Sequence, residues 1–127
     1  MPYANQITLS GHLAKDPELR YGKEGTGFTK FTVAVQRDYG EEVDWIRCTV
    51  FNRGNYKLAE YIADDCKKGK LITIFGELQI DTYEDKEGNS KRSEQVIVDK
   101  AVYEREKKQE KQGKIDDDLE EDFDVDF

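Results

Sequence analysis

The feature that most restricts the fold is a strict apolar–polar alternation, repeated in short segments between residues 5 and 103 and interrupted once by a helical period. Successive side chains of a strand point to opposite faces, so alternation of this kind implies a sheet with one face buried. Residues 6–13 place Ile7, Leu9, Gly11 and Leu13 on one face and Gln6, Thr8, Ser10 and His12 on the other, and Asp16-Pro17 ends the run. After a loop containing Gly22, Gly25 and Gly27, residues 28–36 align Phe31, Val33 and Val35, and a hairpin is expected around Tyr39-Gly40. Residues 43–52 set Ile46, Cys48 and Val50 against Val43, Trp45, Arg47, Thr49 and Phe51. Residues 55–68 read as a helix: Leu58, Ile62 and Cys66 share a face, Asn55 can cap the start, and Gly69 follows Lys67 and Lys68 at the end. A long strand over 71–83 follows, with Gly76 marking a bend or bulge, then a turn at Glu87-Gly88-Asn89 and a last strand over 94–103.

Three strands, a helix and two strands is the order of an OB-fold, a five-stranded Greek-key barrel that commonly holds oligonucleotides or oligosaccharides. The expected fold is therefore mainly β, with one helix between the third and fourth strands, in a chain of 127 residues that suits one domain. No apolar run approaches the roughly 20 residues of a membrane span, and the mean hydropathy is −0.88, so no membrane role is expected. The opening residues lack the basic and apolar regions of a secretory signal, which points to the cytoplasm. Cys48 and Cys66 match no zinc or redox spacing and read as small buried hydrophobes.

The net charge of −8 at first argues against a polyanionic partner, because phosphate binding depends on Lys and Arg. That charge is not evenly spread. Residues 113–127 hold eight acidic side chains and one Lys, a net of −7, which leaves residues 1–112 at −1. The run Asp116, Asp117, Asp118, Glu120, Glu121, Asp122 repels itself and is expected to be disordered. Beyond it, Phe123, Val125 and Phe127 alternate with Asp124 and Asp126, a pattern suited to an apolar pocket rimmed by cations. The expected organisation is a barrel over 1–103, a charged linker over 104–112 and an acidic interaction tail over 113–127.

On the third strand, Trp45 and Phe51 flank Arg47 on the face turned away from the expected core. Either a second layer or subunit covers them, or they bind a ligand. With Arg20, Lys30, Arg37, Arg53, Lys67, Lys68 and Lys70 in the same domain, this combination of aromatic and basic groups points to nucleic acid. Stacking contributes roughly 1–3 kcal/mol per base whatever the base, while cations track phosphates. A catalytic role finds no support: there is one His, no Gly-rich phosphate loop and no paired carboxylate constellation, and neither a cofactor nor a metal is expected. His12 reads as a surface or interface group.

The sequence resembles the bacterial and phage single-stranded DNA-binding protein family over residues 5–103. The resemblance runs through Asn5-Gln6-Ile7-Thr8-Leu9-Ser10-Gly11, Lys15-Asp16-Pro17-Glu18-Leu19-Arg20-Tyr21, Asp44-Trp45-Ile46-Arg47-Cys48-Thr49-Val50-Phe51, the stretch from Tyr61 to Lys68-Gly69, and Gly76-Glu77-Leu78-Gln79. It implies base stacking by Tyr39, Trp45, Phe51 and Tyr83, and backbone contacts from Arg47, Arg53 and Lys68, with Arg20 and Arg37 as further candidates. It also implies a homotetramer built as a pair of dimers, a place in bacterial or host cytoplasm, and replication or recombination partners docking on the tail through Asp116–118, Phe123, Asp124, Asp126 and Phe127. An OB-fold protein-interaction module with a DNA-mimicking tail, and an RNA-binding OB domain, are the alternatives. The chain departs from the family at several points. Tyr39 is in phase with inward-facing Val33 and Val35, so its stacking role needs a bulge or an outward hairpin. Asp81 and Thr82 stand where relatives often carry basic residues, and the tail ends Asp126-Phe127 rather than Pro-Phe and lacks a long Gly/Gln/Pro-rich linker.

Overall fold

The alternating segments form six strands and one helix in a computed structural model that describes residues 3–105. In chain order these are β1 (Ile7–Leu13), β2 (Glu18–Tyr21), β3 (Gly27–Gln36), β4 (Val43–Phe51), α1 (Leu58–Asp65), β5 (Leu71–Glu84) and β6 (Ser90–Val102). The sheet runs β1-β5-β6-β4-β3, and β3 returns to β1 through Leu13↔Val33 and His12↔Ala34, which closes a five-stranded ring. All ring pairings are antiparallel except β4–β6, which is parallel at Cys48↔Val96. This is the expected OB barrel.

Inside the ring lie Leu13, Phe31, Val33, Cys48, Val50, Ile72, Ile74, Val96 and Val98, and α1 closes one end with Leu58, Ala59, Ile62 and the following Cys66. The inward sets on β1, β3 and β4 match the period-two reading. Both thiols are free and buried as expected, and burial pushes Cys48 up to about 12 and Cys66 up to about 11. Two glycines sit where backbones meet. A Cβ at Gly11 would run into the Ala34 carbonyl where β1 meets β3, and one at Gly76 would run into the Ile97 carbonyl at a register shift between Phe75 and Gly76. The bulge expected at Gly76 is therefore present.

The structure corrects four element boundaries or assignments. The stretch after Asp16-Pro17 is not all loop, because β2 pairs along β3 from Glu18↔Lys30 to Tyr21↔Gly27, outside the ring. The helix covers eight residues rather than 55–68. Arg53 and Tyr56 exchange backbone hydrogen bonds of 2.9 and 2.8 Å around Gly54, which holds Asn55 in a tight turn. Asn52, at the end of β4, takes the capping role instead: its Oδ1 accepts the Ala59 N–H at 2.9 Å and its Nδ2 donates to Glu60 at 3.1 Å. At the other end Cys66 is already extended, so Lys67 and Lys68 lie beyond the helix. The last strand begins at Ser90 rather than 94 and pairs with β5 out to Glu84↔Ser90, so the two form a hairpin arm beyond Gly76. On this arm β5 is exposed from Glu77 onward, on both of its faces.

Candidate nucleic-acid interface

The outward face of the sheet follows from register. Directly opposed residues of an antiparallel pair point the same way, so Ala34 and Trp45, Thr32 and Arg47, Lys30 and Thr49, and Phe28 and Phe51 share the outer face of β3 and β4. β2 adds Arg20 opposite Phe28 and Glu18 opposite Lys30. Across the parallel junction Thr49 lies beside Ile97, and its hydroxyl donates to Gln95 Oε1 at 2.7 Å. That contact and its neighbours bury Thr49, although its parity is outward.

Trp45 is 65% exposed and Phe51 38% exposed, and Phe51 is partly shielded by the Phe28 ring, 5.9 Å away and tilted by 41°. Between Trp45 and Phe51, Arg47 crosses to β6, where its Nη2 donates to Ser93 Oγ at 2.9 Å and to the Glu94 carbonyl at 3.3 Å. These two bonds hold the guanidinium extended over the sheet. Arg47 lines one groove of about 290 Å³ with Lys15, Lys30, Thr32 and Gln95. A second groove, of about 340 Å³, joins Trp45 and Arg47 to Arg92, Ile7 and Leu78 at the base of the arm. An exposed flat ring beside a fixed cation offers a stacking surface and a phosphate contact together.

The other expected residues fall around this centre. Tyr39 lies in the hairpin after β3 and is 90% exposed, so the turn removes it from the inward phase of Val33 and Val35. Tyr83 is on the arm, 54% exposed, with Lys91 directly opposite. The paired strand sets basic residues against this stretch: Lys91 lies opposite Tyr83 and Arg92 opposite Thr82. Arg53 follows β4 and lies 3.4 Å from Asp99, and Arg20 pairs with Glu18 at 3.0 Å. Arg37 is held bidentately by Asp44 at 2.9 and 3.1 Å, and Glu42 is 2.8 Å away. The guanidinium holds the Asp44 carboxyl below the usual carboxylate range, chiefly through the hydrogen bond, and the same bond raises Arg37.

Lys68 is not on the sheet face; it lies in the turn after α1, and its backbone N–H donates to Asp16 Oδ1 at 2.8 Å. The tail residues Asp116, Asp117, Asp118, Phe123, Asp124, Asp126 and Phe127 lie outside the described residues. Sequence reasoning missed Phe28 as a site residue, though Phe31, Val33 and Val35 facing inward already places Phe28 outward. It also missed Lys91, Arg92 and Ser93, which the extended arm brings to the face.

The family described as the single-strand binding protein family matches residues 4–104. The chain belongs to this family. Among similar family members, single-stranded DNA-binding protein B of Bacillus subtilis is 38% identical over 100 residues, covering 75% of this chain and 85% of that protein. Single-stranded DNA-binding protein A of the same organism is 42% identical over 89 residues, 66% of this chain and 49% of that protein. The Clostridium perfringens single-stranded DNA-binding protein is 34% identical over 97 residues, 75% and 62% of the two chains. The chain thus spans between about half and five-sixths of these relatives' lengths. Among its described residues no helix is long and apolar enough to cross a membrane.

Proposed function

We propose that the barrel binds single-stranded DNA without sequence preference and coats exposed strands during replication, recombination or repair. The observation that carries this reading is the outer face of β4, where Trp45 and Phe51 flank an Arg47 fixed by Ser93 and Glu94. Family membership and the relatives' names support it. Trp45 and Phe51, joined by Phe28, supply π faces that accept any base, Tyr39 and Tyr83 extend the row, Arg20, Arg37, Arg47 and Arg53 meet phosphates, and Lys68 meets the strand where it leaves the face, from the turn after α1. Such a role requires no chemical step. If the reading is right, oligo-dT quenches Trp45 fluorescence and shifts the protein on a native gel at low salt; an unchanged signal without a shift overturns it.

Self-association as a tetramer of paired dimers belongs to the same reading. Exposed Val43, Leu71, Leu78, Ile80 and Val102 give the barrel and its arm apolar surface that a second copy would cover. Mass measurement in solution tests it, and a monomer at micromolar concentration refutes it. The domain layout proposed from the sequence, a barrel over 1–103, a linker over 104–112 and a partner-recruiting tail over 113–127, is tested by deleting 113–127. Recruitment of other DNA-processing proteins should then disappear while DNA binding remains. A cytoplasmic location fits this role.

A further inference from the structure

Four of the arginines on or near this face are already paired with carboxylates of the same chain. Arg37, two residues before Tyr39 at the hairpin, is clasped by Asp44 and Glu42; Arg53, just past Phe51, lies against Asp99; Arg20, opposite Phe28, lies against Glu18; and Arg92, which lines the second groove with Trp45, lies against Glu94. Arg47, at the centre, differs from all four. Its partners are a hydroxyl and a backbone carbonyl, and among the described residues it makes no ion pair. A phosphate can therefore add to Arg47 directly, whereas at the flanks it must displace a carboxylate.

Resting on the reading that this face takes single-stranded DNA, we propose that Asp44 with Glu42, and Asp99, are positioning residues that hold the flanking arginines and compete with DNA phosphates for them. The consequence is a smaller salt response. A bare arginine neutralising a phosphate contributes a slope of about −0.7 in log affinity against log salt for a single strand. When the arginine leaves a carboxylate to do so, that carboxylate takes up a cation and offsets the release. The pairs involve side chains about half exposed, so each exchange is a small effect, largest at Arg37, where the clasp is bidentate and reinforced by Glu42.

The test is a fluorescence titration of full-length Asp44→Asn, Asp99→Asn and Asp64→Asn with oligo-dT at low and raised salt. Asp64 is exposed on α1 and makes no ion pair among the described residues, so Asp64→Asn controls for net charge alone. Asp44→Asn should tighten low-salt binding by roughly two- to fivefold and Asp99→Asn by less, each steepening the salt slope by up to about 0.7, with Asp64→Asn close to the unaltered protein. In an Arg37→Gln background the Asp44→Asn gain should vanish, because the coupling runs through that one pair. Equal gains for Asp44→Asn and Asp64→Asn, no gain or a loss for Asp44→Asn, or a gain that survives Arg37→Gln would each overturn the proposal. Failure of the unaltered protein to bind oligo-dT would instead overturn the binding function on which it rests.

Discussion

On β4, Cys48 and Val50 turn into the barrel against Val96 and Val98, while Trp45, Arg47 and Phe51 turn outward on the same strand. The two sets alternate residue by residue, yet they obey opposite rules. The inward side chains are apolar, solvent-free and interchangeable with others of similar volume; the outward ones are large, half-exposed and of specific chemistry. On the proposed reading stability and binding fall to opposite faces of one strand, since a side-chain period of two lets each face carry its own set of side chains.

Substitutions that break this separation are the sharpest tests. The largest effect is expected inside: Ile74→Ala removes a fully buried side chain and should cost about 2–5 kcal/mol of stability by denaturant unfolding. The folded fraction should retain its DNA affinity; selective loss of affinity at unchanged stability would blur the two faces. Trp45→Ala should do the reverse, weakening oligo-dT binding by about 1–3 kcal/mol per stacked base. Its melting temperature should stay within a degree or two of the parent, and a collapse on heating would show Trp45 to be structural.

Alkaline titration probes the inner face alone. Burial raises the folded-state values of Cys48 and Cys66 to about 12 and about 11, above the ordinary thiol value of about 8.5. Between those limits the unfolded chain loses its thiol protons first, so stability holds below about pH 8.5 and falls as pH climbs from there toward 11 and 12. Tyr103, raised by burial and by its hydrogen bond to Asp65, adds to the fall in the same direction. A Cys48→Ala, Cys66→Ala protein should show a flatter profile above pH 8.5 than the parent, and an equally steep one would place the effect elsewhere. The smallest change is expected on the arm, where Lys91, 3.9 Å from Asp85, is already partly neutralised, so Lys91→Ala should reduce the magnitude of the salt slope by less than the roughly 0.7 of a bare cation, with little change in stability.

The parts of the fold visible in the sequence were those where one face is buried. Ile7 to Leu13, Phe31 to Val35 and Ile46 to Val50 alternate because the core demands it, and the Leu58, Ile62, Cys66 spacing marks the helix for the same reason. Where burial stops, so does the signal. β2 is a four-residue strand outside the ring, and Ser90 to Ser93 pair on an arm that meets water on both sides, so neither carries a pattern. The cap from Asn52 was hidden because it reaches across a turn from another element. At the interface Trp45, Arg47 and Phe51 were legible as large groups in the outward phase. The links from Arg47 to Ser93 and from Arg53 to Asp99 join residues 46 positions apart in each case, which only the parallel β4–β6 junction brings together.

The proposed function stands on bases stacking against the outer face of β4, with phosphates secondary. The decisive experiment titrates Trp45 fluorescence with oligo-dT and with an abasic oligomer of equal length and charge. Stacking should give strong quenching and tight binding for oligo-dT, with the abasic strand weaker by at least about tenfold and nearly without quenching. Equal affinity for the two strands would contradict it, showing that the charge on this face, and not its aromatic rings, holds the DNA.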